Sequence, residues 1–189
     1  MNYLVIDIET CPINLEGYFD LDEEKRLEKL NPIDSKVVGI GIRHQGKNYV
    51  FMGEEKEILT EFWKKVIELT GGNKFIPLVG FNIANFDLPF LTARSFVHKV
   101  TIFPFVLKSV VDLRDKINAY RYGPSRGKLK EFAKLHNLPV LEENGGDVAQ
   151  LCKDGKMDIL KKYLENDIYI TDELYKIALT TRIAEISKW

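Results

Sequence analysis

Short runs of hydrophobic residues, each bounded by polar or turn-forming residues, predict five β-strands in this chain. The second and third runs are separated only by the polar residues 44–46, which predicts an antiparallel β-hairpin. The predicted strands cover residues 2–8, 36–43, 47–52, 75–81 and 109–114.

Hydrophobic residues at helical spacing predict helices between and after these strands. The clearest pattern covers 54–70 and stops at Gly71 and Gly72. Three further helices are predicted: an acidic insertion at 15–34, a segment with Pro89 in its first turn, and 128–138. After a break at Gly145 and Gly146, a last helical pattern covers about 156 to 186 and is continuous, kinked or split.

Strands and helices in this order predict an α/β fold with a mixed sheet flanked by helices. The sequence contains neither an internal repeat nor a linker-like segment, so residues 1–189 are expected to form a single domain. No apolar run approaches the ~20 residues of a membrane helix, and the first residues lack the features of a signal peptide. We therefore expect a cytoplasmic protein with no membrane partner.

The charge distribution suggests where a polyanion could bind. The formal net charge is −1, but residues 94–134 carry 10 basic and 3 acidic side chains. The same segment contains Arg121, Arg126, Lys128 and Lys130, which could contact backbone phosphates or form a solvated basic loop. The two cysteines of the chain fit no paired spacing, which argues against a disulfide framework or a thiolate metal site.

Two acids stand one residue apart at the end of the first apolar strand. Alternate residues of a strand share a face, so Asp7 and Glu9 are expected to be neighbours with α-carbons ~7 Å apart. They could converge on one cation, or they could simply lie on a solvated strand face. Without a cation, two such charges in a partly buried place would repel.

Two further acids stand where a folded protein seldom places them. Asp87 lies within the apolar segment 80–91 and could cap the helix that follows. Asp167 falls within the apolar stripe of the last helix, one turn after Tyr163, so both can face one site. The alternative is a tyrosine that packs in the core and an aspartate that pairs with a lysine.

Four carboxylates that converge require counter-charge. Carboxylate oxygens suit Mg²⁺ or Mn²⁺ rather than zinc. No set of histidines and cysteines competes, because His44, His98 and His136 are far apart in sequence and are expected to be surface or packing residues.

Three short segments that contain these acids resemble the three motifs of the DEDD 3′-5′ exonuclease superfamily. They are DIET, NIANFD and YLEND. Tyr163, four residues before Asp167, matches the tyrosine subgroup, whereas the other subgroup has a histidine where Lys162 stands. The segment GFNIANFDLPFL is similar nearly throughout to the second motif of the exonuclease domain of family B DNA polymerases.

The resemblance implies a ribonuclease H-like fold with a mixed five-stranded sheet and two Mg²⁺ or Mn²⁺ ions per site. Asp7 would bridge both ions, and Glu9 and Asp167 would complete the tighter site. Asp87 would hold the second ion directly or through water. Tyr163 would orient the attacking water. The implied reaction releases nucleoside 5′-monophosphates from a 3′ end.

The resemblance also implies contacts with the substrate. Asn82 and Phe86 match positions that touch or wedge the terminal nucleotides, with core packing as the alternative for Phe86, and Thr10, which follows the acids, would make a backbone contact. The second motif favours single-stranded DNA over RNA, with an exoribonuclease similar to ribonuclease D as the alternative. A non-catalytic nucleic-acid-binding domain of the same fold is the second alternative. No polymerase follows in the chain, so a stand-alone nuclease is expected, and its oligomeric state is left open.

Overall fold

A mixed sheet lies at the centre of the protein. The computed structural model describes residues 2–123, 126–141 and 148–188, and within them five strands have the spatial order β3-β2-β1-β4-β5. The strands are β1 (Leu4–Pro12), β2 (Ser35–His44), β3 (Lys47–Met52), β4 (Leu78–Gly80) and β5 (Val110–Asp112). β1 is antiparallel to β2 and parallel to β4, and β5 is parallel to β4. The carboxyl ends of β1, β4 and β5 therefore lie at one edge of the sheet.

Helices cover both faces of the sheet. Within the described residues they are α1 (Glu23–Glu28), α2 (Glu55–Thr70), α3 (Asp87–His98), α4 (Leu113–Ile117), α5 (Leu129–Leu135), α6 (Val148–Lys153) and α7 (Met157–Thr180). None of the described helices combines the length and the apolar character that a membrane span requires.

Alternate residues of β1 belong to two different hydrophobic cores. Leu4 and Ile6 pack in a core with residues of α2 and α3. Val5 packs in a second core with residues of α7 and α4. Because residues two apart in a strand share a face, Asp7 and Glu9 project on the α7 side. The division of faces predicted from the alternation in the first strand is the one the structure shows.

A buried ion cluster ties β2, α2 and α3 together away from the α7 face. Glu55 accepts hydrogen bonds from the Arg94 guanidinium, at 2.8 Å from Nε, and from the backbone N–H of Val37 at 2.7 Å. The ring of His98 lies 2.7 Å from the same carboxylate. Burial would raise the pKa of Glu55, but the bonds from Arg94, Val37 and His98 outweigh it and hold that pKa below its ordinary value.

The predicted mixed sheet, the hairpin and the helix after it are confirmed. The hairpin turns at Gln45 and Gly46, whose φ angles of 48° and 79° suit a tight two-residue connection. Pro89 lies in the first turn of α3, as expected.

Several element boundaries differ from the predictions. β5 ends earlier than predicted because the carboxylate of Asp112 accepts the N–H groups of Arg114 and Asp115 and so begins α4. The last helix is continuous but ends at Thr180. In the acidic insertion only α1 and a single 3₁₀ turn form. The break predicted at 145–146 lies outside the described residues.

Candidate active site

β1 extends to Pro12, beyond the predicted 2–8, so the first pair of acids lies in the middle of this strand. Asp7 and Glu9 are both half-buried and line a cavity of about 390 Å³. The pairing of β1 with β2 shifts register between Glu9 and Thr10, which marks a β-bulge. Bulges bend a strand and increase its twist. The strand is therefore bent where its acids face the cavity.

Two glycines of β2 let α7 lie close to the sheet beside these acids. Gly41 is paired with Asp7 and Gly39 with Glu9. A Cβ atom added at Gly41 would lie 3.0 Å from the side chain of Ile168 on α7, which is tighter than ordinary van der Waals contact. The absence of side chains at these two positions therefore sets how closely α7 approaches the acids of β1.

The helix α7 brings the third acid and the tyrosine to the same cavity. Tyr163 and Asp167 lie one turn apart and both line it. One carboxylate oxygen from each of Asp7, Glu9 and Asp167 lies within 4.8 Å of the others. Acids from the two ends of the chain thus meet at one point.

Asp87 faces the same cavity from the start of α3. It is only 3% exposed, and its Oδ1 accepts the backbone N–H of Ile8 at 3.1 Å. The N-cap position of α3 is occupied by Phe86, so Asp87 is the first residue of the helix rather than its cap. The hydrogen bond to β1 holds this acid beside the strand that carries Asp7.

The acids perturb one another's protonation. Burial raises the pKa of Asp7 well above its ordinary value, and the carboxylates of Asp87, Asp167 and Glu9 raise it further, whereas Lys130 lowers it. Burial also raises the pKa of Asp87 to about 7, although backbone hydrogen bonds oppose this rise. The cluster is therefore electrostatically costly without a cation.

The donor set fits a hard divalent cation. Oxygen atoms of Asp7, Glu9 and Asp167 are close enough to share one ion, and carboxylates are the side chains that Mg²⁺ and Mn²⁺ favour. Asp87 lines the same cavity, but its oxygens do not belong to the group of three. Asp87, beside the strand that carries Asp7, would be available to hold a second ion.

The predicted nucleotide contacts Asn82, Phe86 and Thr10 lie at the rim of the acidic cavity. Asn82 and Phe86 line it directly. Phe86 also lines an adjoining cavity of about 220 Å³, together with Thr10 and Tyr18. Because the two cavities share Ile8, Glu9 and Phe86, they form one continuous space beside the acids.

Asp112 supports this rim and was not among the candidates found from sequence. Its carboxylate accepts the backbone N–H of Asn82 at 3.0 Å and that of Ala84 at 3.1 Å, in addition to the bonds that begin α4. Asn82 has a φ of 68°, which asparagine tolerates better than most residues. The signal that could have indicated this role is an aspartate directly after a buried strand.

The predicted phosphate-binding residues separate into different environments. Arg126 donates to Asp115 at 2.7 Å, so its guanidinium is part of an ion pair within the protein. Lys128 is exposed at the start of α5. Lys130 lies closest to the acids, with its Nζ 4.0 Å from Asp167. The same Nζ lies 5.5 Å from the centre of the Tyr163 ring.

The fold is that of the ribonuclease H-like exonuclease domains. A family B DNA polymerase from the hyperthermophilic archaeon Pyrobaculum calidifontis superposes with a TM-score of 0.72 at 19% sequence identity. The match covers 96% of this chain but only 25% of that polymerase, so the chain corresponds to about a quarter of it.

The chain belongs to a family described as predicted 3′-5′ exonucleases related to the exonuclease domain of PolB, with residues 37–182 matched. It is also 32% identical over 171 residues to an uncharacterized protein of Methanocaldococcus jannaschii, which covers 82% of this chain and 93% of that protein. The resemblance to DEDD exonucleases and the expected fold are thereby confirmed. The matched range includes Asp87, Tyr163 and Asp167, whereas Asp7 and Glu9 precede it.

Proposed function

We propose that this protein is a metal-dependent 3′-5′ exonuclease that shortens single-stranded DNA from its 3′ end. The observation that carries the proposal is the convergence of carboxylate oxygens from Asp7, Glu9 and Asp167 within 4.8 Å, in a cavity that Asp87 and Tyr163 also line. A core position would not hold so many like charges, whereas a pair of Mg²⁺ or Mn²⁺ ions would use them.

Each acid has a role in this proposal. Asp7, Glu9 and Asp167 would hold one ion, and Asp87 together with Asp7 would hold a second. When bound, the ions supply Lewis acidity and counter-charge for the phosphate. Tyr163 orients the attacking water with its hydroxyl group.

The bond changes define the products. The oxygen of water forms a bond to phosphorus, and the bond from phosphorus to the 3′ oxygen of the preceding nucleotide breaks. That oxygen takes up a proton from solvent, and the water gives one up. The released nucleotide keeps a 5′ phosphate. Lys130, whose ammonium lies 4.0 Å from Asp167, adds positive charge beside the reacting phosphate.

Residues at the rim would hold the terminal nucleotide. Phe86 offers an aromatic face at the junction of the two cavities, on which a base can stack. Asn82 offers an amide held by a backbone that Asp112 anchors. Thr10 would contact the nucleotide from the adjoining cavity. Lys128 would contact a more distant phosphate, since it is exposed.

The test is cleavage of single-stranded DNA and RNA of the same sequence, labelled at either end, with Mg²⁺, Mn²⁺ or chelator. We expect a 3′ label to be released at once as a mononucleotide and a 5′ label to give progressively shorter strands. Chelator should stop both. Faster digestion of RNA would identify an exoribonuclease instead, and binding without metal-dependent cleavage would identify a non-catalytic domain.

A pair of variants on one helix links the activity to the site. Asp167→Ala should abolish cleavage while the protein stays folded. Asp158→Ala changes an exposed aspartate in the first turn of the same helix and should leave cleavage at the wild-type rate. Wild-type turnover by Asp167→Ala would contradict the assignment.

A further inference from the structure

A second groove lies at the same edge of the sheet as the acids. Its described lining includes Ala84, Lys108, Lys116, Tyr120 and Lys188, and its volume is about 710 Å³. We call it the β5 groove, because it lies at the end of β5. Val5 of β1 pairs with Val79 of β4, which pairs with Val111 of β5, and neighbouring strands are about 4.8 Å apart. The end of β5 therefore lies ~10 Å across the sheet from the part of β1 that leads to Asp7. A single strand is more extended than the roughly 3.4 Å per nucleotide of a duplex strand, so roughly two nucleotide steps span that distance.

The loop after β4 joins the β5 groove to the acidic cavity. Asn82 lines the cavity, and Ala84, two residues later, lines the groove. Asp112 accepts the backbone N–H groups of both. A strand that leaves the cavity over this loop therefore meets the groove next.

The groove is positively charged on balance. Lys108, Lys116 and Lys188 line it. Among its described lining residues the acids are Asp112 and Asp115. The carboxylate of Asp112 accepts four backbone N–H groups, and that of Asp115 is paired with a guanidinium at 2.7 Å. The three lysines outnumber these two acids, so the described lining has a net formal charge of +1.

Aromatic side chains accompany the lysines. The Nζ of Lys116 lies 5.8 Å from the ring centre of Tyr120, and that of Lys188 lies 5.7 Å from the ring centre of Tyr122. Tyr122 is 83% exposed, so its ring is available to a ligand. Lysines interleaved with tyrosines are the combination that binds single strands, since the charges hold phosphates and the rings stack on bases.

We propose that the β5 groove binds single-stranded nucleic acid immediately upstream of the 3′-terminal nucleotide. Lys108, Lys116 and Lys188 contact the phosphates, and Tyr120 and Tyr122 stack on the bases. The proposal rests on the proposed function for the direction in which the strand runs. It adds a reason for substrate length to matter, because a dinucleotide fills the acidic cavity but does not reach the groove.

The first test measures binding in chelator, where cleavage is stopped. The triple variant Lys108→Ala, Lys116→Ala, Lys188→Ala is compared with wild type by fluorescence anisotropy, using a labelled single strand of about ten nucleotides. We expect at least a tenfold weaker Kd. The slope of log K against log salt should fall by about 2, since each phosphate contact on a single strand contributes roughly 0.7. Binding of a dinucleotide, which is too short to occupy both the acidic cavity and the groove, should be unchanged.

The control removes the same charge from the other side of the molecule. Lys56→Ala, Lys64→Ala and Lys74→Ala alter exposed lysines on or just after α2, which packs against β2 and β3 rather than β5. This variant should bind the longer strand with a Kd within twofold of wild type. An equal loss in both triple variants, or wild-type binding by the groove variant, would overturn the proposal.

A second pair of variants avoids disturbing the fold. Lys116 donates to the carbonyl of Ile186, so its removal could loosen the last segment. Lys108→Glu and Tyr122→Ala change exposed side chains. Each should weaken binding of the longer strand about tenfold, and wild-type affinity in both would count against the groove.

Cleavage assays separate the two proposals. If the wild type cleaves a dinucleotide and the groove variant does so at the same rate, while only the longer strand loses kcat/KM, both proposals stand. If no strand is cleaved but the groove variant still loses affinity, the exonuclease assignment fails and the groove remains a binding site. If cleavage of long and short strands is equally insensitive to the groove variants, the groove proposal fails and the exonuclease assignment stands.

Discussion

Replacing Asp7 by asparagine should make the metal-free protein more stable while removing its response to divalent cations. The change keeps the size of the side chain and removes one of three charges whose oxygen atoms lie within 4.8 Å of one another. Two unit charges at that distance repel by about 3.5 kcal/mol at an effective dielectric constant of 20. The acidic cluster is thus a cost to the fold that a bound divalent cation would offset.

The gain in stability has an upper limit set by protonation. The carboxyl of Asp7 can avoid the repulsion by binding a proton, because its pKa lies well above the ordinary value of 3.8. At 1.36 kcal/mol for each pH unit above that value, protonation at pH 7 costs at most about 4.4 kcal/mol. Burying the asparagine amide costs about 1 to 3 kcal/mol, which reduces the gain in the free energy of unfolding. We therefore expect a net gain of about 1 to 3 kcal/mol.

Thermal unfolding followed by circular dichroism measures both effects. In chelator, the variant should melt about 5 °C higher than wild type, at 2 to 4 °C for each kcal/mol in a protein of this size. Metal at about a hundred times its Kd should stabilise the wild type by about 2.7 kcal/mol and the variant much less. Asp158→Asn, at an exposed position, is the control and should respond like the wild type. A lower melting temperature for the variant in chelator, or a metal response equal to that of wild type, would refute this reasoning.

Three other changes test separate parts of the molecule. Tyr163→Phe should slow cleavage about tenfold to a hundredfold without weakening the metal-induced rise in melting temperature, because in the proposed reaction the phenol orients water and is not a ligand. Gly41→Ala should reduce kcat by shifting α7, since the added methyl group lies 3.0 Å from Ile168; a wild-type kcat would show that the helix is free to adjust. Glu55→Gln breaks its ion pair with Arg94 and should lower the free energy of unfolding by about 3 kcal/mol in urea titrations at pH 7. The folded-state pKa of Glu55 is lowered, so its contribution to the free energy of unfolding is complete above about pH 4.5 and is lost as the pH falls below that value. The stability of the variant should therefore fall less steeply with decreasing pH than that of the wild type. An equally steep fall would contradict this cause.

The first strand and the last helix show which side-chain positions the local sequence pattern predicts correctly. Alternation in 2–8 was enough to place Asp7 and Glu9 on one face, because side chains of a strand alternate whatever it packs against. The helical spacing of Tyr163 and Asp167 was equally informative, since residues four apart share a helix face. Boundaries were predicted less well. β5 is cut short by the capping bonds of Asp112, and an aspartate near a strand end does not by itself reveal which N–H groups it will accept.

The basic segment shows where local reasoning failed to distinguish residues. Arg126 and Lys130 are both cationic and close in sequence, yet one is paired with Asp115 and the other lies beside the acids. Their environments depend on how α4 and α5 pack against α7, which involves contacts between distant parts of the chain. No periodicity in the segment itself encodes that packing.

The sequence by itself determined the chemistry of this protein: which elements form, which faces the acids occupy, and that hard divalent cations are the ions such acids suit. Those properties follow from the spacing of neighbouring residues. Only the tertiary structure decided that the acids meet, that Gly39 and Gly41 admit α7 to the sheet beside them, and that a lysine-lined groove continues from the rim. These depend on the distances between segments far apart in the chain, which packing of the whole core establishes.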